Sequence, residues 1–591
     1  MSRRSLNRWL ASAALIAAMT AQASAQQIIN PTPQNATVPS YKPVTDAMLL
    51  KPDPADWLMW RRTYDGWGYS PLDQINKANV KDLKVAWTWS LTPGATETTP
   101  IVHDGILYVF NYADKVQAIN AATGDLIWQY TRALPAKLVT EGGQLLGKRN
   151  MAIYQEKLFV ATSDAHIVAL EAATGKVVWD HTVGDWTKGW RYSGGPTIVH
   201  GKLIQGMTGC GNAEPGGCFI TGHDVNTGAE LWRVWTIAHP GDPNENTWNG
   251  LPLESRFGAS AWIPGTYDPE LNTVYYGTGQ PYPWIAEMRG TLPKKEGYQN
   301  NALYSDSTLA IDPDTGKVKW YHQHLQDDTW DLDYVYERIL IDLPVNGEVR
   351  KALVTTGKLG IIEALDRVNG QWLWAKETVP QTVVEAIDSK TGEKTIRASA
   401  VPHIGQTTVN CPADPGSRGW PATAYSPRTQ LLYLPLNEFC SNTKPVPLDA
   451  GQAYTGGGRA IFDRTPVPNS DGNIGRIDAV KLADRTQAWS HRQRSPETSA
   501  MLPTGGGVVF TGALDRYFRA FDDTTGQLLW ETRTNNSING FPITYSVNGK
   551  QYVAVATGNG SSHMRALNTL TPEISVPDGG SVLWVFTLPD K

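Results

Sequence analysis

Residues 310–320 read AIDPDTGKVKW, and this stretch decides the fold because the same phrase recurs along the chain. Each copy predicts a strand, a Thr-Gly or Asn-Gly turn that needs positive φ at Gly, and a second strand that carries a Trp. The turn is tight, so we expect each pair of strands to form an antiparallel hairpin. The other copies are residues 118–128 (AINAATGDLIW), 169–179 (ALEAATGKVVW), 222–232 (GHDVNTGAELW), 364–374 (ALDRVNGQWLW) and 520–530 (AFDDTTGQLLW).

The spacing of these phrases is typical of propeller blades. Trp128 and Trp179 lie 51 residues apart, which suits one four-stranded blade with its loops. Longer intervals suit a blade with an insertion or a degenerate copy, such as residues 477–489. The terminal segments 84–89 (KVAWTW) and 581–586 (SVLWVF) read as aromatic-rich strands with alternating side chains and no hairpin phrase. If these two strands pair in one sheet, the ring closes without an exposed edge strand. The sequence therefore predicts an all-β fold, an eight-bladed β-propeller with tryptophan-docking motifs.

The N-terminus is typical of an export signal. Three arginines within the first eight residues precede an apolar run, residues 9–19, and an Ala-Ser-Ala triplet ends at residue 25. We therefore predict a signal peptide over residues 1–25, cleaved before Gln26, and a periplasmic location; the apolar run is too short to span a membrane. Residues 26–56 are rich in Pro, Thr and Asn and predict an extended lead-in with little to bury. Residues 57–591 then form one propeller domain.

Charge and cysteine content exclude several classes of protein. The formal net charge is -5, with no basic run and no RNA-binding signature, so nucleic acid is not an expected partner. An even count of four cysteines in an exported chain predicts two disulfides. Spacing does not fix the connectivity, and the pairing we adopt is Cys210 with Cys218 and Cys411 with Cys440. No Cys-x-x-Cys-His occurs, so no covalent haem is expected, and no cysteine has ligands at zinc-finger spacing.

Trp262 is the first candidate site residue. It ends the segment GASAW, residues 258–262, lies outside the hairpin phrase, and is followed by YYGTGQP at residues 275–281. A flat indole beside small residues could carry a planar ligand. The alternative is an ordinary core aromatic.

The second candidate is the acidic segment DDTWDLD, residues 327–333. Four carboxylates in seven residues cannot all be buried unpaired, and strand alternation would put Asp331 and Asp333 on one side. They would then form a hard-cation site in which one carboxylate also acts as a base. The alternative is a solvated acidic loop.

Two weaker candidates complete the set. The segments SGGP (193–196) and TGC (208–210) offer hydroxyl and backbone N–H groups, although Gly and Ser also make ordinary turns. Arg149, in KRNMA, and Lys358, after an apolar strand, are fixed cations that could polarise an anionic or carbonyl ligand. Either could equally be a surface charge.

Together these motifs closely resemble the quinoprotein alcohol dehydrogenases, which use pyrroloquinoline quinone (PQQ). The likeness covers residues 57–589 and rests on the docking phrase, Trp262 ahead of YYGTGQP, WDLD at 330–333 and TGKLGIIEALDR at 356–367. Within the family, GC…GGCFITGHD, RGWPATAYSP and TGGGVVFTGALDRYFRA resemble the haem-free sorbose/sorbosone and polyvinyl-alcohol type more than methanol dehydrogenase.

The resemblance implies a role for each candidate residue. Trp262 would stack on the quinone, Asp331 would be the catalytic base, and Lys358 would hydrogen-bond the reactive carbonyl. Further cofactor contacts would be Glu97, Arg149, Ser193, Thr208, Gly209 and Ser260. The metal ligands would be Gln280, Asp331, Asp333 and Glu214.

Three departures concern the cofactor roof and the metal. Residues 141–144 (EGGQ) stand where many relatives have an adjacent Cys pair, and residues 211–212 (GN) replace an expected metal-binding Glu, with Glu214 close by. Gln280 replaces the usual Asn. Asp333 resembles an extra carboxylate of lanthanide-using members, but it could equally compensate at a calcium site. We therefore expect Ca2+, with a lanthanide as the alternative.

The sequence thus predicts a periplasmic PQQ- and metal-dependent dehydrogenase. It would oxidise the hydroxyl of a secondary alcohol, polyol, sugar or bulky alcohol such as a trichothecene, and pass electrons to a soluble cytochrome c, another periplasmic acceptor or a dye. Long connections at residues 234–257, 282–303 and 379–415 are expected to roof the channel with aromatics. NAD is not expected, because no Gly-x-Gly-x-x-Gly is flanked by a strand and a helix.

The alternative from another class is a non-enzymatic propeller scaffold of the outer-membrane assembly type. It would explain the repeat and the export signal. It has no need of Trp262, Asp331, Asp333, Arg149 and Lys358 at matching positions.

Overall fold

The computed structural model describes residues 36–140, 145–211, 215–412, 414–447, 459–560 and 566–590. These contain eight four-stranded antiparallel sheets, which we number as blades 1 to 8. Blades 1 to 4 are, from first strand to fourth, Ile101–His103, Ile106–Asn111, Lys115–Asn120 and Leu126–Thr131; Ala152–Tyr154, Lys157–Ala161, His166–Glu171 and Val177–Thr182; Thr197–Val199, Lys202–Gly206, Phe219–Asp224 and Glu230–Trp235; and Thr266–Asp268, Thr273–Gly277, Ser307–Ile311 and Val318–Gln323.

Blades 5 to 7 continue in chain order, and blade 8 joins the two ends of the chain. They are Ile339–Val345, Glu348–Thr356, Ile361–Asp366 and Trp372–Glu377; Ala424–Ser426, Leu431–Asn437, Gly475–Lys481 and Thr486–Gln493; Leu502–Pro503, Val508–Gly512, Tyr517–Asp522 and Leu528–Arg533; and Ile543–Val547, Lys550–Thr557, Val582–Thr587 and Lys84–Ser90. In blade 8, Trp89 lies opposite Leu583, as expected for the two terminal segments.

The repeated phrase forms the predicted hairpin for identifiable local reasons. In blade 4 the carboxylate of Asp312 accepts hydrogen bonds from the backbone N–H groups of Asp314 and Thr315, both at 3.0 Å. Gly316 then adopts φ +75°, and a Cβ there would lie 2.8 Å from the Trp232 ring. Glycine is thus required both by the left-handed turn and by the approach of an indole from blade 3.

The tryptophans join successive blades into a closed ring. The Trp232 indole N–H donates to the Pro313 carbonyl at 3.0 Å, so blade 3 docks on the turn of blade 4. The same contact closes the circle, because Trp87 of blade 8 lies against Gly124 of blade 1. This arrangement confirms the prediction of an all-β propeller with docking tryptophans.

The described helices and minor sheets lie outside the blades. The α-helices are Asp46–Leu50, Ala136–Thr140 and Ala286–Arg289, and the 3-10 helices are Val80–Asp82, Trp186–Lys188, Glu245–Thr247, Leu253–Ser255 and Ala398–Ala400. The minor sheets pair Phe257–Gly258 with Pro281–Tyr282, Val384–Ile387 with Lys394–Ile396, and, in what we call the cap sheet, Thr408–Asn410, Phe439–Pro445 and Ala460–Pro466. No helix of the described segments is long and apolar enough to cross a membrane.

Outside the blades, the predicted disulfides are present, whereas the lead-in differs from its prediction. Both disulfides pair as predicted, Cys210 with Cys218 and Cys411 with Cys440. The expectation that the lead-in buries little is wrong for its described part, because Val44 and Leu49 are buried. A five-residue helix there presents Leu49 to the propeller, a local element that no periodic pattern of this length could reveal. The predicted signal peptide lies outside the described residues.

Candidate functional site

The candidate residues come from different blades but share one end of the ring. In an antiparallel blade the second and fourth strands leave at the same end, and the first strand enters there. The docking turns between third and fourth strands therefore lie at the opposite end. Residues before first strands are Glu97, Arg149, Ser193, Ser260 and Trp262; those after second strands are Thr208, Gly209, Gln280 and Lys358; those after the fourth strand of blade 4 are Asp331 and Asp333.

Lys358 is the centre of a buried ion cluster. Its ammonium lies 2.7 Å from a carboxylate oxygen of Asp331, 2.7 Å from one of Asp333, and donates to the Asp331 carbonyl at 2.9 Å. The Lys358 side chain is fully buried, so the surface-charge alternative is wrong for this residue. Burial opposes its charge, but the two carboxylates prevail and hold the pKa of Lys358 well above its usual value.

The acidic segment is folded around this cluster rather than solvated. Asp331 adopts φ +67°, so a left-handed residue, not strand alternation, turns its carboxylate toward Lys358. Asp328 accepts from the backbone N–H groups of Trp330 (2.7 Å) and Leu332 (2.6 Å) and so fixes the loop. Burial is the main cause that raises the pKa of Asp331 well above its usual value, against the attraction of Lys358. A carboxylate so placed is a stronger base than one in water.

A second cluster surrounds Trp262. The guanidinium carbon of Arg149 lies 4.6 Å from the centroid of the Trp262 ring and 5.7 Å from that of Trp420. Arg149 pairs with Glu97 at 2.7 Å, and both side chains are buried, so Arg149 is not a surface charge either. Tyr336 approaches the Trp262 ring edge-on at 5.6 Å. Trp262 is only half-buried and is therefore not a sealed core aromatic.

The other candidates lie near these two clusters. The Ser193 carbonyl accepts from the Arg149 backbone N–H at 3.1 Å, and the Ser260 carbonyl accepts from Gly279 at 2.9 Å. The Gln280 backbone N–H donates to Asp333 at 3.2 Å. The remaining two, Thr208 and Gly209, lie beside the 189–191 turn, where Thr208 forms a backbone bridge to Arg191. Glu214 and residues 141–144 lie outside the described residues.

Three further residues, not predicted from the sequence, belong to the hub, our name for the clusters around Lys358 and Trp262. Tyr336 and Trp420 flank Trp262 and Arg149, and Trp420 stacks on Phe541 with ring centroids 4.4 Å apart. Trp420 stands inside the RGWPATAYSP motif, so a signal for it existed. Asp306 is fully buried, and within the described residues neither of its oxygens has a hydrogen-bond partner. Its only signal is a carboxylate placed directly before a buried strand.

The aromatics of the long connections have different surroundings. Trp284 lies next to Phe462 of the cap sheet, with ring centroids 6.0 Å apart. Trp248, in contrast, is fully buried within its own connection and donates to the Leu303 carbonyl at 2.6 Å. It therefore holds the loop rather than facing a ligand. Tyr298 is exposed.

The described hub is suited to a cation and to a planar anion. Asp331 and Asp333 share one ammonium, that of Lys358, and Asp306 is buried near them, so the carboxyl groups outnumber the cation. A hard cation with oxygen ligands would offset it. Near Trp262, within the described residues, Arg149 Nε, Trp420 Nε1 and the Tyr336 hydroxyl are buried without hydrogen-bond partners. Unsatisfied donors around an aromatic face fit a flat ligand with carboxylate and carbonyl oxygens, as PQQ is.

Comparison with known proteins agrees with this chemistry. The sequence model of the family described as "PQQ: Glucose/ethanol/alcohol dehydrogenase, beta-propeller domain" matches residues 57–398 and 470–553. The chain belongs to this family. It is a PQQ-dependent alcohol dehydrogenase, and the scaffold alternative is set aside.

Individual relatives are similar over most of their length. The quinohemoprotein alcohol dehydrogenase of Comamonas testosteroni is 36% identical over 533 residues, which cover 85% of this chain and 73% of the relative. The quinoprotein alcohol dehydrogenase PedH of Pseudomonas putida is 31% identical over 553 residues, 89% of this chain and 90% of PedH. The solved structure of a europium-containing methanol dehydrogenase superimposes with a TM-score of 0.81 at 29% identity, covering 91% of this chain and 99% of that one. The finer placement beside the haem-free sorbose/sorbosone and polyvinyl-alcohol enzymes stays a prediction.

Proposed function

We propose that this PQQ-dependent alcohol dehydrogenase is an exported, periplasmic, metal-dependent enzyme that oxidises the hydroxyl of a bulky or secondary alcohol, a polyol or a sugar. The observation that carries the proposal is the buried pair of Asp331 and Asp333 on one ammonium, at the same end of the ring as the half-buried face of Trp262. This combination provides a base, a cation site and a stacking surface.

Asp331 is the catalytic base in this proposal. Its burial raises its pKa, and Lys358 at 2.7 Å opposes that rise by stabilising the ionised form, so Asp331 is a stronger base than a carboxylate in water. Asp331 accepts the proton of the substrate hydroxyl at a carboxylate oxygen. PQQ, when bound, supplies the two-electron acceptor for the hydride of the alcohol carbon. Lys358 places a positive charge where negative charge develops on oxygen.

The cofactor is held by the second cluster. Trp262 offers a stacking face, and Arg149 offers charged donors for a carboxylate. Glu97 keeps Arg149 in place through the 2.7 Å ion pair. Additional contacts come from Ser193, Thr208, Gly209 and Ser260.

The metal is held by Asp331, Asp333 and the side chain of Gln280, with Glu214 as a further ligand. All of these offer oxygen, which suits Ca2+. A lanthanide is the alternative, since it also takes oxygen ligands and its higher charge would offset more of the carboxylates. The similarity to a europium-containing enzyme supports keeping this alternative.

The substrate class is inferred from aromatic residues of the long connections, and the electron acceptor is inferred from the sequence. Trp284 lies next to Phe462 of the cap sheet, and an entrance lined by such aromatics would suit bulky alcohols such as trichothecenes better than methanol. Electrons leave to a soluble cytochrome c or another periplasmic acceptor, because the sequence has no covalent haem motif.

One titration tests the proposal. The metal-free full chain is mixed with PQQ and either Ca2+ or La3+, followed by tryptophan fluorescence and then by dye reduction with methanol, secondary alcohols and polyols. We expect quenching that depends on Trp262, activity with one metal class, a preference for bulky alcohols and no reduction of NAD. PQQ binding without dye reduction by any alcohol would overturn the proposed reaction, and a preference for methanol would overturn the substrate class.

A further inference from the structure

His322, His324 and Glu363 form a cluster outside the hub. His322 lies on the fourth strand of blade 4, His324 directly follows that strand, and Glu363 lies on the third strand of blade 5. One ligand atom of each lies within 4.8 Å of the others, and in the described part of the chain this is the only such group of three or more His, Cys, Asp or Glu. The spacing His-x-His puts both imidazoles on one face of an extended chain.

Buried polar atoms in this cluster lack partners. Among the described residues, His322 Nε2, His324 Nδ1 and Glu363 Oε2 accept or donate no hydrogen bond. Glu363 is fully buried and His324 is 1% exposed. An unsatisfied buried polar atom is unfavourable, so three of them on residues that lie this close together point to a missing partner.

His324 is oriented from its other side. Its Nε2 lies 2.8 Å from the Thr308 hydroxyl, and its ring stacks on Tyr334 with centroids 4.7 Å apart. Arg338 also donates to the Thr308 oxygen, at 3.0 Å. In the tautomer in which His324 Nε2–H donates to that oxygen, the lone pair of Nδ1 is directed toward Glu363.

We propose that His322, His324 and Glu363 bind one divalent cation of the zinc class. Two imidazoles and a carboxylate are ligands that Zn2+ and Co2+ prefer over Ca2+. Ligands about 2.1 Å from a tetrahedral ion lie roughly 3.4 Å apart. His324 Nδ1 already lies 3.4 Å from one oxygen of the Glu363 carboxylate, so a small side-chain rotation would bring the other oxygen, Oε2, to an ion shared with His324. No cysteine takes part, so the lack of cysteines at zinc-finger spacing does not bear on this site.

Lys394 lies at the edge of this site. Its ammonium is 2.9 Å from Glu363 Oε1, which leaves Oε2 for the ion. In the metal-free protein Lys394 balances the carboxylate, and in the metal-bound protein it opposes the ion. Removal of the Lys394 charge is therefore expected to strengthen metal binding.

The ion would tie blade 4 to blade 5 close to the reaction site. Tyr334, which stacks on His324, directly follows Asp333. A bound ion would therefore stiffen the segment that carries Asp331 and Asp333 without touching the substrate. Its role is structural and does not depend on the metal at the hub.

Co2+ binding tests the site in the full chain with the hub filled by PQQ and Ca2+. We expect one tightly bound Co2+ per chain with the intense visible bands of a tetrahedral, nitrogen-containing site, displaced by Zn2+. His322→Gln, at a half-buried position, and Glu363→Gln should each weaken Co2+ binding at least tenfold and remove these bands. The matched control is His491→Gln, since His491 follows Trp489 by two residues as His322 follows Trp320.

The outcomes are separable from those at the hub. Lys394→Met should raise the Co2+ affinity roughly tenfold by removing a nearby positive charge. Folding of each variant is checked by its thermal midpoint without Co2+. No bound Co2+ in the well-folded wild type, or bands that persist in both His322→Gln and Glu363→Gln, would overturn the proposal.

Discussion

Replacement of Asp331 by Asn tests the proposed base with little structural disturbance. Asp331 adopts φ +67°, a left-handed conformation that Asn tolerates and most other residues do not. The Asn amide oxygen can still accept a hydrogen bond from the Lys358 ammonium, which lies 2.7 Å from the Asp331 carboxylate in the wild type. Asp333 keeps its own contact with the ammonium, so Lys358 is not left as an unpaired buried charge.

The expected loss of turnover is larger than the expected loss of stability, so the two effects can be distinguished. Loss of a general base typically lowers turnover by about 10²–10⁴-fold, or roughly 2.7–5.5 kcal/mol in the barrier. Because Asp333 remains, the free energy of unfolding should fall by only about 1–3 kcal/mol, less than when a buried charge loses every partner. PQQ affinity, which rests on Trp262 and Arg149, should change little.

The assay combines dye reduction at saturating alcohol, PQQ binding by tryptophan fluorescence, and denaturant unfolding. Asp333→Asn is the matched control, since Asp333 contacts the same Lys358 ammonium but is proposed to bind only the metal. Its activity should recover at high Ca2+, whereas that of Asp331→Asn should not. Near-normal turnover of Asp331→Asn, or recovery of both variants by Ca2+, would refute the assignment of Asp331 as base.

Three further changes test the fold and the cofactor site. Burial raises the pKa of Glu497 from 4.5 to about 8, so the free energy of unfolding should fall as pH rises between these values. Glu497→Gln should remove that slope and stabilise the protein at pH 8 by on the order of 3–5 kcal/mol, measured by denaturant unfolding; an unchanged slope would contradict this. Gly316→Ala should cost about 2–4 kcal/mol in thermal unfolding, because it adds a clash with Trp232 to left-handed strain, whereas Gly347→Ala, with open space around its Cβ, should cost about 1–2 kcal/mol. Arg149→Lys should weaken PQQ binding roughly tenfold in fluorescence titration while turnover of the saturated enzyme stays within a few-fold; equal affinities would exclude a cofactor role for the guanidinium.

Much of the fold was predictable because its determinants are local. The turn at Asp312 to Gly316 needs a carboxylate cap and a left-handed residue, and both are visible in the phrase itself. The blade closed by the chain ends was predictable from alternation at Trp89 and Leu583. The short helix with Leu49 was not, because its stability comes from packing against the propeller.

The site was predictable where a motif carries it. Trp262, Asp331 and Lys358 were proposed from their motifs, and the structure brings Asp331, Asp333 and Lys358 into one cluster. Asp306 and Tyr336 were missed because their surroundings, rather than their neighbours in sequence, make them notable.

By itself, the sequence determined the repeating hairpin, the docking tryptophans and the presence of chemically suitable residues, since turn conformation and strand periodicity depend on adjacent residues. Only the tertiary structure decided which charges meet. Lys358 lies between Asp331 and Asp333, and His322 and His324 face Glu363 of the next blade, because the closed ring places loops and strands from distant parts of the chain a few ångströms apart. Burial there removes the water that would otherwise screen these groups, and so it fixes their charge states and their capacity to bind.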